Sequence, residues 1–216
     1  MALPLTEDLA DRQTITCSPI HLLVARGTTE PPGNGLMRSL AQLIISDQGP
    51  GKADQEAIDY PATGLGNYNA YMDSVAQGSQ AVTQQVTSYA KNCPNSRIVL
   101  LGYSQGAQII GDALCGTVTK SASIDRSIGS HVHTIVLYGD PSFRVGEPYD
   151  KGTSTSNGIF SQLRTAGSCL SYAPLMSSYC DVNDSFCASG KSNIVHTGYF
   201  AKYNNNAAEF VISTIG

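Results

Sequence analysis

The chain of 216 residues has no tryptophan, no cluster of basic residues and no long apolar run. No stretch approaches the roughly 18 consecutive apolar residues that a membrane-spanning helix needs, so we expect no membrane partner. The formal net charge is -4, which argues against nucleic acid as a partner. The sequence also lacks Cys-x-x-Cys pairs and histidine-rich spacing, so we expect neither a metal nor another cofactor.

The amino-acid composition indicates one folded domain with many loops. Charged residues make up only 14% of the chain, and 21 glycines and 10 prolines are spread along it. A chain of this length can bury a sizeable core as a single domain. We interpret residues 1–16 as a leader or propeptide remnant and residues 17–216 as the folded domain.

The six cysteines are an even number, which is typical of an oxidising compartment. We therefore expect a secreted, extracellular protein whose signal segment has been removed. The predicted disulfide pairs are Cys17–Cys93, Cys115–Cys169 and Cys180–Cys187. The last pair is close enough in sequence to close a small loop. The members of the first pair each precede a predicted strand and so lie at the amino-terminal edge of the sheet, which leaves the middle pair.

Hydrophobic patterning predicts strands that alternate with helices. The predicted strands are residues 20–25, 56–60, 97–101, 132–138 and 175–179, and the predicted helices are residues 36–45, 74–92, 107–114 and 200–215. We expect residues 151–168, rich in Gly, Ser and Thr, to form a long surface excursion. The alternation implies an α/β fold, a parallel sheet with helices on both faces. In such sheets, sites form beyond the carboxyl ends of the strands.

Residues 102–106 read Gly-Tyr-Ser-Gln-Gly and join a predicted buried strand to a predicted amphipathic helix. A turn this tight excludes bulky neighbours, which explains a glycine two residues on either side of Ser104. The geometry would expose the Ser104 hydroxyl above the end of the sheet, where a base could reach it. The pattern by itself recurs by chance, and a plain loop serine is the alternative. Its placement between strand and helix favours a nucleophile.

A serine nucleophile needs a base, and histidine titrates near neutral pH. His21, His131 and His133 lie at the starts of predicted strands, the wrong end of the sheet, and we interpret them as packing or strand-edge residues. His196 lies in the loop before the last helix. Elimination therefore selects His196 as the base, with a helix-capping or surface histidine as the alternative.

The histidine in turn needs an acidic partner, and Asp184 and Asp140 compete for this role. Asp184 lies between Cys180 and Cys187, in a loop that a disulfide would stiffen. It also gives the order Ser, Asp, His that is typical of α/β-hydrolases. We favour Asp184 and interpret Asp140 as a turn-forming residue before a proline.

The oxyanion of an acyl-transfer reaction needs two fixed donors. The backbone N–H of Gln105 follows the nucleophile and supplies one. Thr28, in the loop after the first strand, can offer a backbone N–H and a hydroxyl as the second. The alternative makes Thr28 a plain turn residue and Glu30 a charge partner of Arg26.

Taken in order, these motifs resemble the cutinase and acetylxylan esterase family, the fifth family of carbohydrate esterases, over residues 17–216. The motifs are residues 25–30, residues 102–106, the loop of Asp184 between its two cysteines, and His196. The resemblance implies a small three-layer α/β-hydrolase without a lid and with a five-stranded parallel sheet. It also implies a Ser104/His196/Asp184 catalytic triad and an oxyanion hole from Thr28 and Gln105.

Within the family, residues 57–62, 139–144 and 196–199 resemble acetylxylan esterases more than cutinases. Acetylxylan esterases often carry an additional cysteine pair where this chain has residues 63–68. We expect a monomeric serine esterase that deacetylates acetylated xylan. The alternative is a cutinase or polyester hydrolase acting on longer acyl esters; a peptidase or thioesterase and a non-catalytic wall-binding protein are more distant alternatives. The predicted substrate-binding residues are Tyr103, Pro141, Phe143, Ile194, Val195 and Tyr199.

Overall fold

The computed structural model describes residues 16–216, so residues 1–15 of the expected leader lie outside the described part. In the described chain the sheet has six strands, all paired in parallel, in the order β2-β1-β3-β4-β6-β5. The strands are β1 (Ile20–Ala25), β2 (Ala53–Ala57), β3 (Arg97–Tyr103), β4 (Val132–Tyr138), β5 (Asp150–Gly152) and β6 (Met176–Cys180).

Helices cover both faces of this sheet. They are α1 (Arg38–Gln48), α2 (Tyr68–Asn92), α3 (Gln105–Cys115), α4 (Arg126–Gly129), α5 (Asn193–Thr197) and α6 (Tyr199–Ile215). Helices α2 and α3 pack together on one face, and α1 and α6 pack together on the other. The three-layer α/β fold expected from the sequence is confirmed. No helix of residues 16–216 has the length and apolar character needed to cross a membrane.

The central strand β3 explains why its sequence is so apolar. Ile98 and Leu100 face the core under α2 and α3, whereas Val99 and Leu101 face the core under α1 and α6. Successive side chains of a strand point to opposite faces, so a strand covered on both sides needs an uninterrupted apolar run. This rigid, doubly covered strand ends beside Ser104.

Two strands differ from the sequence prediction. Strand β2 is Ala53–Ala57, not residues 56–60, because its ladder with β1 ends at the Val24–Ala57 pair. The apolar residues Ile58 and Tyr60 are buried in the connection that follows the strand. Their apolar side chains caused the sequence to predict a strand through residue 60. The expectation of five strands was wrong by one, because β5 (Asp150–Gly152) adds a sixth strand at the edge of the sheet. This strand begins one residue before the segment expected to be a surface excursion.

The cysteines form three disulfides: Cys17–Cys93, Cys115–Cys169 and Cys180–Cys187. These are the pairs that the topology predicted. The first closes a sequence separation of 76 residues at the amino-terminal edge of the sheet. The third closes a separation of only 7 residues, directly after β6 and at the opposite, carboxyl edge.

Candidate active site

Ser104 occupies the sharp turn between β3 and α3. Its backbone has φ 56° and ψ -119°, a conformation that L-residues rarely adopt. A Cβ on Gly102 would lie 2.7 Å from the carbonyl oxygen of Gly106, and a Cβ on Gly106 would collide with the carbonyl of Ala25. Both glycines are therefore required by close backbone approach. Strain of this kind persists only where the surrounding structure enforces it, and it is concentrated at functional sites.

His196 lies between Ser104 and Asp184 and contacts both. Its Nε2 is 2.9 Å from Ser104 Oγ, and its Nδ1 is 2.8 Å from Asp184 Oδ2. An ionised carboxylate can only accept a hydrogen bond, so Nδ1 carries the proton and Nε2 accepts from the serine hydroxyl. The structure thus brings together the three side chains selected from the sequence, in an arrangement that can move a proton off Ser104.

Asp184 is fully buried and receives four hydrogen bonds. The backbone N–H groups of Phe186 and Cys187 donate to Oδ1, while His196 and the hydroxyl of Tyr199 donate to Oδ2. Burial by itself raises the pKa of a carboxyl group, but these donors outweigh it and hold the pKa of Asp184 below its usual value. The side chain is therefore a fixed, ionised acceptor at neutral pH.

The loop after β1 lies against the turn that carries Ser104. Thr28 lines the same cavity as Ser104, and neither its backbone N–H nor that of Gln105 donates to another residue among 16–216. Buried Arg26 donates to the backbone carbonyls of Glu30, Ile58 and Tyr60. The backbone N–H groups of Thr28 and Gln105 are thus two available donors beside Ser104, which is what an oxyanion hole requires.

Glu30 contributes to this loop in a way that differs from the alternative considered above. Its carboxylate accepts from the backbone N–H groups of Gly27 and Leu36, whereas Arg26 bonds to its main-chain oxygen. Glu30 therefore bridges the two ends of the loop that carries Thr28, and it is not a simple charge partner of Arg26.

A cavity of about 360 Å³ opens beside Ser104 and His196. Its lining is mostly apolar and includes three threonines and an asparagine. The lining residues are Thr28, Thr29, Gly64, Leu65, Tyr71, Tyr103, Ser104, Pro141, Ile159, Phe160, Phe186, Asn193, His196 and Thr197. A concave, largely apolar site with a few polar groups beside a candidate nucleophile is the usual form of a small-molecule binding site.

Tyr103 and Pro141 line this cavity as expected, but the other predicted substrate contacts were wrong. Phe143 is 3% exposed and Tyr199 1% exposed, so both rings are in the core and cannot reach a polymer. Ile194 is 85% exposed, and neither it nor Val195 is among the residues that line the cavity.

Helix α5 explains the error at Ile194 and Val195. Residues four apart share one face of a helix, and here Asn193 and Thr197 face the cavity with His196. The apolar character of Ile194 and Val195 suggested an acyl-binding role because the sequence did not indicate a helix there. The polar neighbours form the wall instead.

His21 and Asp140 have partners other than the residues of the candidate triad, and His131 and His133 lie at the amino-terminal end of a strand. His21 stacks on Tyr89 and contacts Asp54. Asp140 accepts from the backbone N–H of Ser142 and pairs with buried Arg164, which fits a turn-forming residue. His131 and His133 lie at the start of β4.

Several cavity residues had no clear signal in the sequence. Ile159 and Phe160 belong to the segment expected to be a polar surface excursion, yet both reach the cavity. Tyr71 comes from α2, which begins at Tyr68 and not at residue 74 as predicted. An adjacent apolar pair inside a polar segment was the one available sign at residues 159–160.

Comparison with known proteins shows the family of this chain. A model of the cutinase family matches residues 16–215. The chain belongs to the cutinase family. Acetylxylan esterase 2 of Talaromyces purpureogenus is 38% identical over 93% of this chain and 88% of its own length. Cutinase 11 of Verticillium dahliae is also 38% identical, over 99% of this chain and 74% of its own length.

Solved structures of this family agree with the fold. An iodinated acetyl xylan esterase is similar with a TM-score of 0.85 and 37% identity, covering 93% of this chain and all of that chain. The catalytic core domain of acetyl xylan esterase from Trichoderma reesei gives a TM-score of 0.84 at 35% identity, over 92% of this chain and all of that one. The protein is a carboxylic ester hydrolase of the cutinase family.

Proposed function

We propose that the protein is a secreted, monomeric serine esterase that removes acetyl groups from acetylated xylan through an acyl-enzyme. The observation that carries the proposal is the continuous hydrogen-bonded chain from Ser104 through His196 to Asp184, at the mouth of an open cavity. Two relatives of 36–38% identity that are named acetylxylan esterases support the substrate class. The three disulfides support secretion.

In the proposed reaction, Ser104 Oγ attacks the ester carbonyl carbon while its proton passes to Nε2 of His196. The backbone N–H groups of Thr28 and Gln105, with the Thr28 hydroxyl, stabilise the negative oxygen that develops. The carbon–oxygen bond to the alcohol then breaks, and His196 returns the proton to the departing alcohol. Water repeats the sequence and releases the acid, regenerating the serine hydroxyl.

Asp184 keeps the imidazole in the tautomer that this proton transfer needs. Its carboxylate accepts from Nδ1, so the lone pair of Nε2 faces Ser104. It also stabilises the imidazolium that forms during the reaction.

A second candidate function is a cutinase or polyester hydrolase that prefers longer acyl chains. The apolar part of the cavity, from Leu65, Tyr71, Ile159 and Phe160, supports this candidate because an acetyl group fills little of it. The polar lining residues Asn193, Thr197 and Thr29 instead support a sugar as the alcohol part of the ester.

An acyl-length series separates the two candidates. Hydrolysis of p-nitrophenyl acetate, butyrate and longer esters is compared with release of acetate from acetylated xylan. We expect the highest kcat/KM with acetate and measurable release from the polymer. A preference for acyl chains of four or more carbons, without release from xylan, would favour the polyester hydrolase.

A further inference from the structure

Tyr199 is buried behind the candidate acid, and its hydroxyl contacts the same carboxylate oxygen as His196. The hydroxyl lies 2.7 Å from Asp184 Oδ2, the atom that also accepts from His196 Nδ1 at 2.8 Å. We propose that Tyr199 is a positioning residue that sets how strongly Asp184 stabilises the imidazolium of His196. This inference rests on the proposed function, because it assumes that His196 is the base.

The chemistry around the hydroxyl fixes the direction of its hydrogen bond. The backbone N–H of Asp181 donates to the Tyr199 oxygen at 3.0 Å, so this contact uses a lone pair and not the proton. Cys187 Sγ, 3.2 Å away, belongs to a disulfide and has no proton to give. The phenolic proton therefore points to Asp184, where an ionised carboxylate is the stronger acceptor.

Sharing one carboxylate oxygen between two donors has a defined consequence. A donor at Oδ2 withdraws negative charge from that atom. Burial raises the pKa of Asp184, and the Tyr199 hydroxyl is one of the hydrogen-bond donors that outweigh burial and lower it. Less charge on Oδ2 means less stabilisation of a protonated His196. Tyr199 would thus moderate the stabilisation of the imidazolium while holding the carboxylate in place.

Among residues 16–216, few titratable groups surround the imidazole of His196, and of these only Tyr199 donates a hydrogen bond to Asp184 without being part of the candidate triad. The titratable side chains facing His196 are Asp184, Tyr103 from β3 and Tyr199 from α6. Burial foremost raises the pKa of Tyr103 and of Tyr199, so both phenols are neutral at working pH. The Asp181 carboxylate, next to Tyr199, is paired with Lys202.

The test uses two changes at position 199 with opposite expected directions. Tyr199→Phe removes the donor, and we expect kcat to fall about tenfold with KM unchanged, because the Asp184 carboxylate loses one of the contacts that orient it toward His196. This loss is far smaller than the about 10⁴-fold loss that follows a wrong histidine tautomer. The acidic limb of the kcat/KM profile should move to higher pH. Site-specific 3-fluorotyrosine, whose phenol is a stronger donor, should move that limb to lower pH.

Tyr138→Phe is the matched control. Tyr138 is equally buried and packs against Tyr199, but its hydroxyl donates to Asn204 and does not touch Asp184. We expect this variant to keep the wild-type pH profile, even if its thermal midpoint falls. A Tyr199→Phe enzyme with wild-type kinetics and an unmoved acidic limb would overturn the inference. A limb that stays in place or moves to higher pH with 3-fluorotyrosine at position 199, relative to the wild type, would also overturn it. This second result decides the matter if Tyr199→Phe does not fold.

The outcomes also separate this inference from the proposed function. If the wild-type protein hydrolyses p-nitrophenyl acetate and Ser104→Ala does not, the proposed function stands whatever Tyr199 does. If neither protein hydrolyses the ester, the proposed function fails first, and the positioning role fails with it.

Discussion

The turn that carries Ser104 and the loop that carries Asp184 are held in place by different means. Ser104 is positioned by regular structure, because β3 and α3 run directly into its strained turn. Asp184 lies in a segment without a long helix or strand. The segment is closed by Cys180–Cys187, and Asp184 pairs with Ser192 in an isolated parallel β-bridge. One partner is fixed by the sheet and the other by a covalent link and hydrogen bonds.

The two regions should therefore be sensitive to different kinds of substitution. The serine turn depends on the absence of side chains at Gly102 and Gly106, so sterics decide it. The conformation of the acidic loop depends on hydrogen-bond donors that converge on the buried carboxylate of Asp184, so the charge of that group and its donors determine it. Changes in the first region should act through shape, and changes in the second through charge and hydrogen bonding.

Removing the nucleophile should have the largest effect. We expect Ser104→Ala to lower kcat by at least about 10⁴-fold, because no acyl-enzyme can form. The measurement is hydrolysis of p-nitrophenyl acetate, with circular dichroism to verify the fold. Ordinary esterase rates in this variant would remove the serine from the mechanism.

Removing the charge of the acidic loop should come close to this loss. Asp184→Asn retains the shape but allows the amide to donate to His196, which favours the wrong tautomer, and we expect kcat to fall by about 10⁴-fold. Asp140→Asn is an informative comparison, since Asp140 contacts Arg164 and not His196. If the Asp140 variant lost more activity than the Asp184 variant at equal folded fraction, the assignment of the acid would be reversed.

A substitution in the loop after β1 should lower kcat by an intermediate amount. Thr28→Val removes one hydroxyl from the cavity wall, and we expect kcat to fall by about 10²–10³-fold if that hydroxyl serves the oxyanion. Thr29→Val is the neighbouring comparison, because the Thr29 hydroxyl already donates to the carbonyl of Thr28. Thr29 also lines the cavity, so a loss in that variant should appear in KM and not in kcat. Equal activity of the Thr28 variant and the wild type would limit the oxyanion hole to backbone donors.

Two of the disulfides should contribute differently: Cys17–Cys93 mainly to stability, and Cys180–Cys187 mainly to activity. Opening Cys180–Cys187 by double alanine substitution should cost only about 2.5 kcal/mol of unfolding free energy, since its loop is short. It should nonetheless reduce kcat by about 10–100-fold, because Asp184 loses its fixed position. Opening Cys17–Cys93, which spans 76 residues, should cost about 4.5 kcal/mol and leave kcat almost unchanged.

Chemical denaturation and kinetics at a temperature where both double variants are folded supply the measurement. A Cys180/Cys187 variant with wild-type kcat would show that hydrogen bonds alone hold Asp184.

Acid sensitivity should give the smallest effect. The pKa of Asp184 is lower in the folded protein than in the unfolded chain, so its contribution to stability is present above about pH 4 and is lost as pH falls further. The unfolding free energy of the wild type should therefore approach that of Asp184→Asn between pH 5 and pH 3. Urea midpoints at these two values measure it, and a constant difference would contradict the lowered pKa.

The sequence indicated the parts of the site that sterics and topology impose. The glycines around Ser104 and the exclusion of His21, His131 and His133 follow from strand direction, which an apolar run reveals. The pairing of the cysteines follows from the same topology. These inferences needed no side-chain packing.

The remaining features depend on packing that no local pattern records. The three-residue β5 has no apolar alternation, since Asp150, Lys151 and Gly152 pair only as an edge of the sheet. Tyr199 looked like an exposed aromatic after a loop, but α6 buries it against Asp184. Whether an aromatic side chain faces substrate or core is set by tertiary contacts, so the sequence left that open.

The most direct test of the account is covalent labelling with a small organophosphate. The label should attach to Ser104 at one equivalent per chain and abolish ester hydrolysis in parallel. The His196→Ala variant should be labelled far more slowly. Mass spectrometry of the intact and digested protein measures the stoichiometry, the site and the rate of labelling. Stoichiometric modification of Ser104 with hydrolysis intact, or equal labelling without the imidazole, would contradict the claim that Ser104, His196 and Asp184 act as one unit.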